Sequence, residues 1–299
     1  MDCLLDIGGL CLRLNGAPWA PDAIPRNFRP FVVSGAAPQA PCAVLDIRHV
    51  PALPPEPASE ALSVSYNDLG KAALHDTGDT WCIALTPCPG QAPRLMEIDK
   101  NFRTATVWLL DADPYADFVI DSSTRIFFAQ FAALNRGLIV HASTVGRGGL
   151  AYLFMGASGT GKSTHSRLWT ETFPGCELLN DDCPLITADS RGILVHGTPW
   201  SGKTPCWRRV TLPLGGVARL RQAPENRFIP LSGIEAFVAF IPGMSVMTSD
   251  PALYSAASST ALDILAAVPA GILECLPDAD AARLCLHSLV KVKGEEGER

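Results

Sequence analysis

The stretch "LAYLFMGASGTGKSTHSRLW", Leu150 to Trp169, sets an apolar run, a glycine-rich turn and an amphipathic helical pattern end to end. Within it "GASGTGKS", Gly156 to Ser163, matches G-x-x-x-x-G-K-[ST] in full. Glycines in such a loop let successive backbone N–H groups curl round an anion, and the helix that follows adds the positive end of its dipole. The pattern predicts a triphosphate site formed by Gly156, Ser158, Gly159, Thr160, Gly161, Lys162, Ser163 and Thr164. Lys162 is expected to reach the β and γ phosphates, and the Ser163 hydroxyl to hold Mg2+. The required strand precedes the loop and the required helix follows it, which gives the motif its context.

A phosphate loop needs acidic help to place magnesium and, for transfer to a hydroxyl, to accept a proton. "CELLNDDCPLI" supplies Asp181 and Asp182 at the end of an apolar run. Neighbours on a strand point to opposite faces, so both line the site only if the strand ends or twists there, and that favours two separate roles. The plainer reading of "NDD" is a turn. His141 follows "LIV" one strand before the loop, where it is either catalytic or a satisfied structural residue. "HGTPWSGK", His196 to Lys203, reads as a loop; Lys203 is a candidate to touch the transferring phosphate, and Trp200 either walls a ligand or fills the core. From Lys203 to Arg227 there are six basic residues against Glu225 alone, a stretch that faces either solvent or phosphate.

Away from the loop, 299 residues suggest two domains more readily than one. Ten prolines lie between Pro18 and Pro57, which argues against long helices there. Runs such as "CAVLDI", "WCIAL" and "TATVWLL" read as strands, giving a small β-rich domain over 1–120. "DSSTRIFFAQFAALNRG", 121–137, reads as a helix capped by Ser122 or Ser123 and closed by Gly137; it opens a catalytic domain over 121–292. "LIVHASTVGRGGLAYLFMG" reads as a β-hairpin feeding the loop. Further helices are predicted at Lys162 to Phe173, Ser258 to Ala267 and Asp278 to Val292, and strands near "CELLN", "PLITA", "GILVHG" and "AFVAFI". The tail, 293–299, is expected to be disordered. A net charge of −6 argues against general nucleic-acid binding. The best uncharged segment, Ala236 to Ser249, is too short to span a membrane and contains Pro242. No export signal is read at the N-terminus, and the ten cysteines show neither C-x-x-C nor Cys/His spacing, so the expectation is a cytoplasmic chain with reduced thiols.

The hairpin with His141, the loop "GASGTGKSTHS" and the acidic "NDD", in that order, resemble the catalytic domain shared by HPr kinase/phosphorylase and ATP-dependent phosphoenolpyruvate carboxykinase. The similarity covers about Arg125 to Ile186. It implies an α/β (α+β) fold: a P-loop catalytic domain on a mixed sheet, here preceded by the small β-rich domain. It also implies that Asp181 is the base accepting a seryl proton, that Asp182 is the magnesium-side carboxylate, and that His141 neighbours the transferred phosphoryl group. HPr kinase carries a glutamate and an arginine after its acidic pair, whereas "GTPWSGK" stands in that region here without either. That loop looks like those of small HPr-kinase-related proteins, some resembling kinases of modified-peptide biosynthesis. The reading is a kinase using ATP and Mg2+ to phosphorylate a hydroxyl, with serine the first choice, on a peptide, protein or small-molecule acceptor. The alternatives are a carboxykinase-type lyase and a nucleotide-binding regulatory module, and a homo-oligomer is left open.

Overall fold

Strand-forming sequence dominates the first third of the chain, and the computed structural model, which describes residues 2–34, 40–67 and 70–296, gathers it into one sheet. The chain divides into two units, Met1–Phe131 and Ala132–Arg299. In the first unit the strands are β1 (Cys3–Ile7), β2 (Leu10–Asn15), β3 (Cys42–Val50), β4 (Ser63–Asn67), β5 (Gly70–Asp76), β6 (Thr80–Thr86), β7 (Arg94–Asp99) and β8 (Thr104–Leu110). They lie in the order β1-β2-β3-β8-β7-β6-β5-β4, with β3 parallel to both neighbours and the remaining pairs antiparallel. Among the described residues, the proline-rich stretch holds two short 3-10 turns, Pro21–Ala23 and Arg29–Phe31, and no α-helix.

Helix α1 (Ala116–Leu134) starts well before the expected cap at Ser122 or Ser123. Its buried Val119, Ile120, Phe127, Phe128 and Phe131 recur at helical spacing. The Ser122 hydroxyl donates to the Phe118 carbonyl one turn back (2.8 Å), bonding inside the helix instead of capping it.

The second unit contains β9 (Gly137–Ile139), β10 (Ala142–Arg147), β11 (Leu150–Met155), α2 (Lys162–Thr172), β12 (Glu177–Asp182), β13 (Leu185–Asp189), β14 (Gly192–His196), β15 (Thr211–Gln222), β16 (Arg227–Leu231), α3 (Gly233–Phe240), α4 (Pro251–Ala267), β17 (Ala270–Cys275) and α5 (Ala279–Glu296). The sheet is mixed, in the order β12-β10-β11-β15-β14-β13-β9, with β17 pairing both β15 and β16. β15 runs parallel to β11 and β17. A bulge at Gly215 sits in that pairing, where a Cβ would come within 3.0 Å of the Tyr152 ring. One core cluster joins Tyr152 and Phe154 of β11 to Trp169 of α2, Leu220 of β15 and Leu289 of α5.

Four further expectations need correction. The first apolar run of the predicted hairpin is split: β9 pairs with β13, and only β10 pairs with β11. "AFVAFI" is not a strand; it lies in α3 and the following turn, because an unbroken apolar run has no readable period. α4 starts seven residues earlier than Ser258, capped by Asp250, whose carboxylate accepts from the Leu253 N–H (2.9 Å) with Pro251 at the first helical position. α5 extends to Glu296, into the stretch expected to be disordered, whose last three residues lie outside the described ones. None of the ten cysteines is in a disulfide. Among the described residues, no helix is long and apolar enough to cross a membrane.

Candidate active site

Strand β10 sets the geometry of the site. Its first residue, Ala142, is register partner to Met155 at the end of β11 and to Asp182 at the end of β12. The glycine loop therefore leaves one neighbour, and the acid pair closes the other, at the same level of the sheet. His141 stands immediately ahead, its backbone N–H donating to the Gly243 carbonyl (2.7 Å). One residue on, the Ser143 and Ser166 hydroxyls bond at 2.6 Å in the interior and tie α2 to β10.

The loop closes tightly on itself. Gly156 has φ +156°, and a Cβ there would stand 2.5 Å from the Thr160 hydroxyl. Thr160 donates twice to the Ala157 carbonyl, from its N–H (3.2 Å) and its hydroxyl (2.8 Å). Gly161, at φ +99°, turns the chain into α2. Lys162 Nζ donates to the carbonyls of Gly156 (3.0 Å) and Ala157 (3.3 Å). Burial pulls this ammonium below the ordinary lysine range against the opposing fields of Asp182 and Asp181, so both carboxylates act on it. Ser163 is exposed on the first turn of α2, and Thr164 is half-buried beside it.

The acid pair solves the alternation problem by twisting. Asp182 has φ +151°, a conformation that costs a non-glycine residue on the order of 1–3 kcal/mol unless its surroundings hold it. Asn180 does the holding. Its Oδ1 accepts the Cys183 N–H across the turn (2.9 Å), while its Nδ2 donates to the Trp200 carbonyl (3.0 Å) and the Thr198 hydroxyl (3.3 Å). Thr198 in turn donates to the Cys183 carbonyl (2.8 Å), and the Gly202 N–H donates to the Asp181 carbonyl. The "GTPWSG" loop is thereby fastened onto the acid turn. Asp181 is 3% exposed, and its Oδ2 is buried with no hydrogen-bond partner. Asp182 Oδ1 lies 3.0 Å from His141 Nδ1, and its Oδ2 accepts from the Cys183 thiol (3.3 Å).

The structure thus brings together the loop, Lys162, Asp181, Asp182 and His141. Trp200 is buried, on the core side of its two readings. Lys203 is exposed, one residue past Gly202. The basic stretch divides: Arg208 pairs with Glu177 and Arg227 with Glu274 on the surface, whereas Arg219, which donates to the Ala239 carbonyl (2.7 Å), and Arg221, which shares Glu274 (2.9 Å), line a cavity of about 460 Å³ with Ala157, Ser158, Gly159 and Thr160. Sequence reading missed Gln222, whose side-chain amide donates to the Gly159 carbonyl (3.3 Å), and the Asn180–Thr198 clasp, which no local pattern announces. His165, inside the motif, is structural: it accepts from Trp169 Nε1 (3.0 Å), and burial lowers its pKa to about 4.

Among the described residues, no group of three or more His, Cys, Asp or Glu side chains is arranged to hold a metal ion. Magnesium needs fewer, because it keeps waters and binds through one or two carboxylates plus phosphate oxygens. The partly open Asp182 carboxylate suits such an ion, with the Ser163 hydroxyl directly after Lys162, and leaves the unpartnered Asp181 Oδ2 to a second role.

No family model and no curated protein matches the chain. Among solved structures it is similar to the Hpr(Ser) kinase/phosphatase from Coxiella burnetii, at 12% identity and a TM-score of 0.32, over 54% of this chain and 95% of that one. A likeness of that degree carries no argument about activity, which is left to the site itself.

Proposed function

We propose that the chain is an ATP- and magnesium-dependent kinase that moves the γ-phosphoryl group to a hydroxyl, with serine the first choice, on a peptide, protein or small metabolite. The observation that carries this reading is the double register of Ala142, which sets the phosphate loop and the acid pair side by side around Lys162. Phosphoryl transfer is mostly positioning and charge neutralisation, so these parts suffice once an acceptor is seated. Lys162 exchanges its loop carbonyls for β- and γ-phosphate oxygens. Ser163 and Asp182 would hold the magnesium, which supplies charge neutralisation when bound. Asp181 takes the proton as the acceptor O–H bond breaks, its oxygen already stripped of water and of partners. His141 orients the Asp182 carboxylate through the Nδ1 contact.

Millimolar MgATP is expected to raise the melting temperature of the wild type, because a ligand at about 100 times its Kd stabilises the folded state by about 2.7 kcal/mol. Lys162→Ala should melt normally in buffer, show no such shift and lose turnover by at least about 10²-fold. A wild-type melting curve that ignores MgATP sinks the site. A shift without phosphate transfer or release leaves a nucleotide-binding module in place of a kinase.

A further inference from the structure

Beside the phosphate-loop cavity lies a second, of about 510 Å³, and the two share Arg219, Arg221 and Ile272 in their walls. Strand alternation explains the shared cations. Ala218 and Leu220 of β15 point into the core cluster, so Arg219 and Arg221 face the other way, toward both cavities. Most of the remaining second wall is apolar: Leu231 of β16, Ile234 and Val238 of α3, and Pro242. Ile234 and Val238 stand one helical turn apart and are 70% and 60% exposed. Large side chains left in water together, on the rim of a cavity of ligand size, are the usual mark of a binding groove. Glu235 adds a single carboxylate to that wall.

We propose that the second cavity is the nucleoside compartment of the same site: it takes the base and sugar of a nucleoside 5′-triphosphate whose phosphates lie on the glycine loop. This rests on the phosphate-loop reading of Gly156 to Ser163. The sequence of surfaces matches the ligand part by part. The loop offers N–H groups to the phosphate chain, Arg219 and the Glu274-paired Arg221 stand where the chain passes from one cavity to the other, and the apolar wall beyond them suits a flat base. Glu235 can only accept hydrogen bonds when ionised, so it is matched to sugar hydroxyls or an exocyclic amine.

The test compares ATP with inorganic tripolyphosphate, both with magnesium, by titration calorimetry on the wild type and on Ile234→Asp and Val238→Asp. Both substitutions fall on exposed positions, and melting temperatures confirm that the variants fold. Each variant should bind ATP at least about tenfold more weakly while holding tripolyphosphate within about twofold of the wild type. Three results overturn the compartment while leaving the phosphate site standing: unchanged ATP affinity in both variants, equal weakening of ATP and tripolyphosphate, or a wild type that prefers tripolyphosphate. A wild type that binds neither ligand overturns the phosphate-loop reading, and the compartment falls with it.

Discussion

Asp113 in the first unit and Asp181 in the second are both carboxylates out of water, and they are completed differently. Asp113 receives Arg94 through two parallel hydrogen bonds, from Nε and Nη2 at 2.8 Å each, and a third from the Tyr115 N–H (2.9 Å). The remaining Arg94 nitrogen donates to the Ala92 carbonyl (2.7 Å). Burial pushes the Asp113 carboxyl up, but the bonds from Arg94, Tyr115 and Leu110 pull harder and leave it below the usual range. Asp181 is buried too, yet its Oδ2 has no partner, and its charge acts on Lys162. A buried acid with a full set of partners stabilises a fold, and one left short beside a phosphate loop waits for a ligand.

That contrast is broken most directly by mutation. Arg94→Ala strands the buried Asp113 charge and should destabilise the chain by about 3–5 kcal/mol, read as a lower denaturant midpoint. Asp181→Asn removes a charge that had no hydrogen-bonded partner at Oδ2, so its stability cost should stay under about 1 kcal/mol. Its transfer rate should nevertheless fall by about 10²-fold to 10⁴-fold, toward the lower end because loose phosphoryl transfer deprotonates the acceptor late. Asp182→Asn should instead raise the magnesium needed for half-maximal rate. If Asp181→Asn unfolds the chain as Arg94→Ala does, the two acids are alike and the distinction is wrong.

The units should also answer acid in opposite directions. Burial raises Asp121, in α1, to about 6 against the opposing effects of Arg125 and Asn27. The folded state then binds more protons than the unfolded one between pH 3.8 and about 6, so this contribution is lost as pH rises through that window. His165, in α2, is lowered from 6.5 to about 4, so the unfolded state binds more protons between those values and stability is lost as pH falls. Each shift corresponds to about 3 kcal/mol. Amide hydrogen exchange, corrected for intrinsic rates, should show α1 gaining protection and α2 losing it between pH 6.5 and 4.5. His165→Gln, which keeps an acceptor for Trp169 Nε1, should flatten the α2 response; a slope unchanged in that variant would remove His165 as its cause.

What was readable in advance follows from distance along the chain. The loop and α2 are legible because glycines, lysine and helix are consecutive, and "NDD" is legible as a pair of acids. The meeting of the two is not, because it depends on β10 pairing with β11 on one side and β12 on the other, a choice made by the whole sheet. The twist at Asp182 is set by Asn180 and by Thr198, eighteen residues beyond Asn180, and neither has a local signature. α3 was hidden by the unbroken apolar run Ala236 to Ile241, and its exposed Ile234 and Val238 gain meaning only beside β15 and β17. β15 itself carries its basic residues and two adjacent glycines where a strand pattern would be sought, and reads as a charge run.

The smallest expected effect belongs to Lys203, and it sharpens the contrast between residues that hold the acid turn and residues that act beside it. Gly202 lies so close to that turn that a Cβ would come within 2.8 Å of the Asp181 carbonyl, which fixes the backbone immediately before Lys203. Lys203 itself is exposed, so its removal should leave the melting temperature within about a degree of the wild type. A cation near developing charge acts mainly in the transition state, and its loss lowers kcat more than it weakens nucleotide binding. Because this lysine is solvated, the loss should be near tenfold, below that at Lys162 or Asp181. Lys203→Arg should recover part of the rate, since charge is retained with different geometry. Steady-state kinetics with a working acceptor separates the cases: a lower kcat at constant KM for ATP puts Lys203 beside the transferring group, and an unchanged kcat returns it to the solvated surface with Arg208 and Arg227.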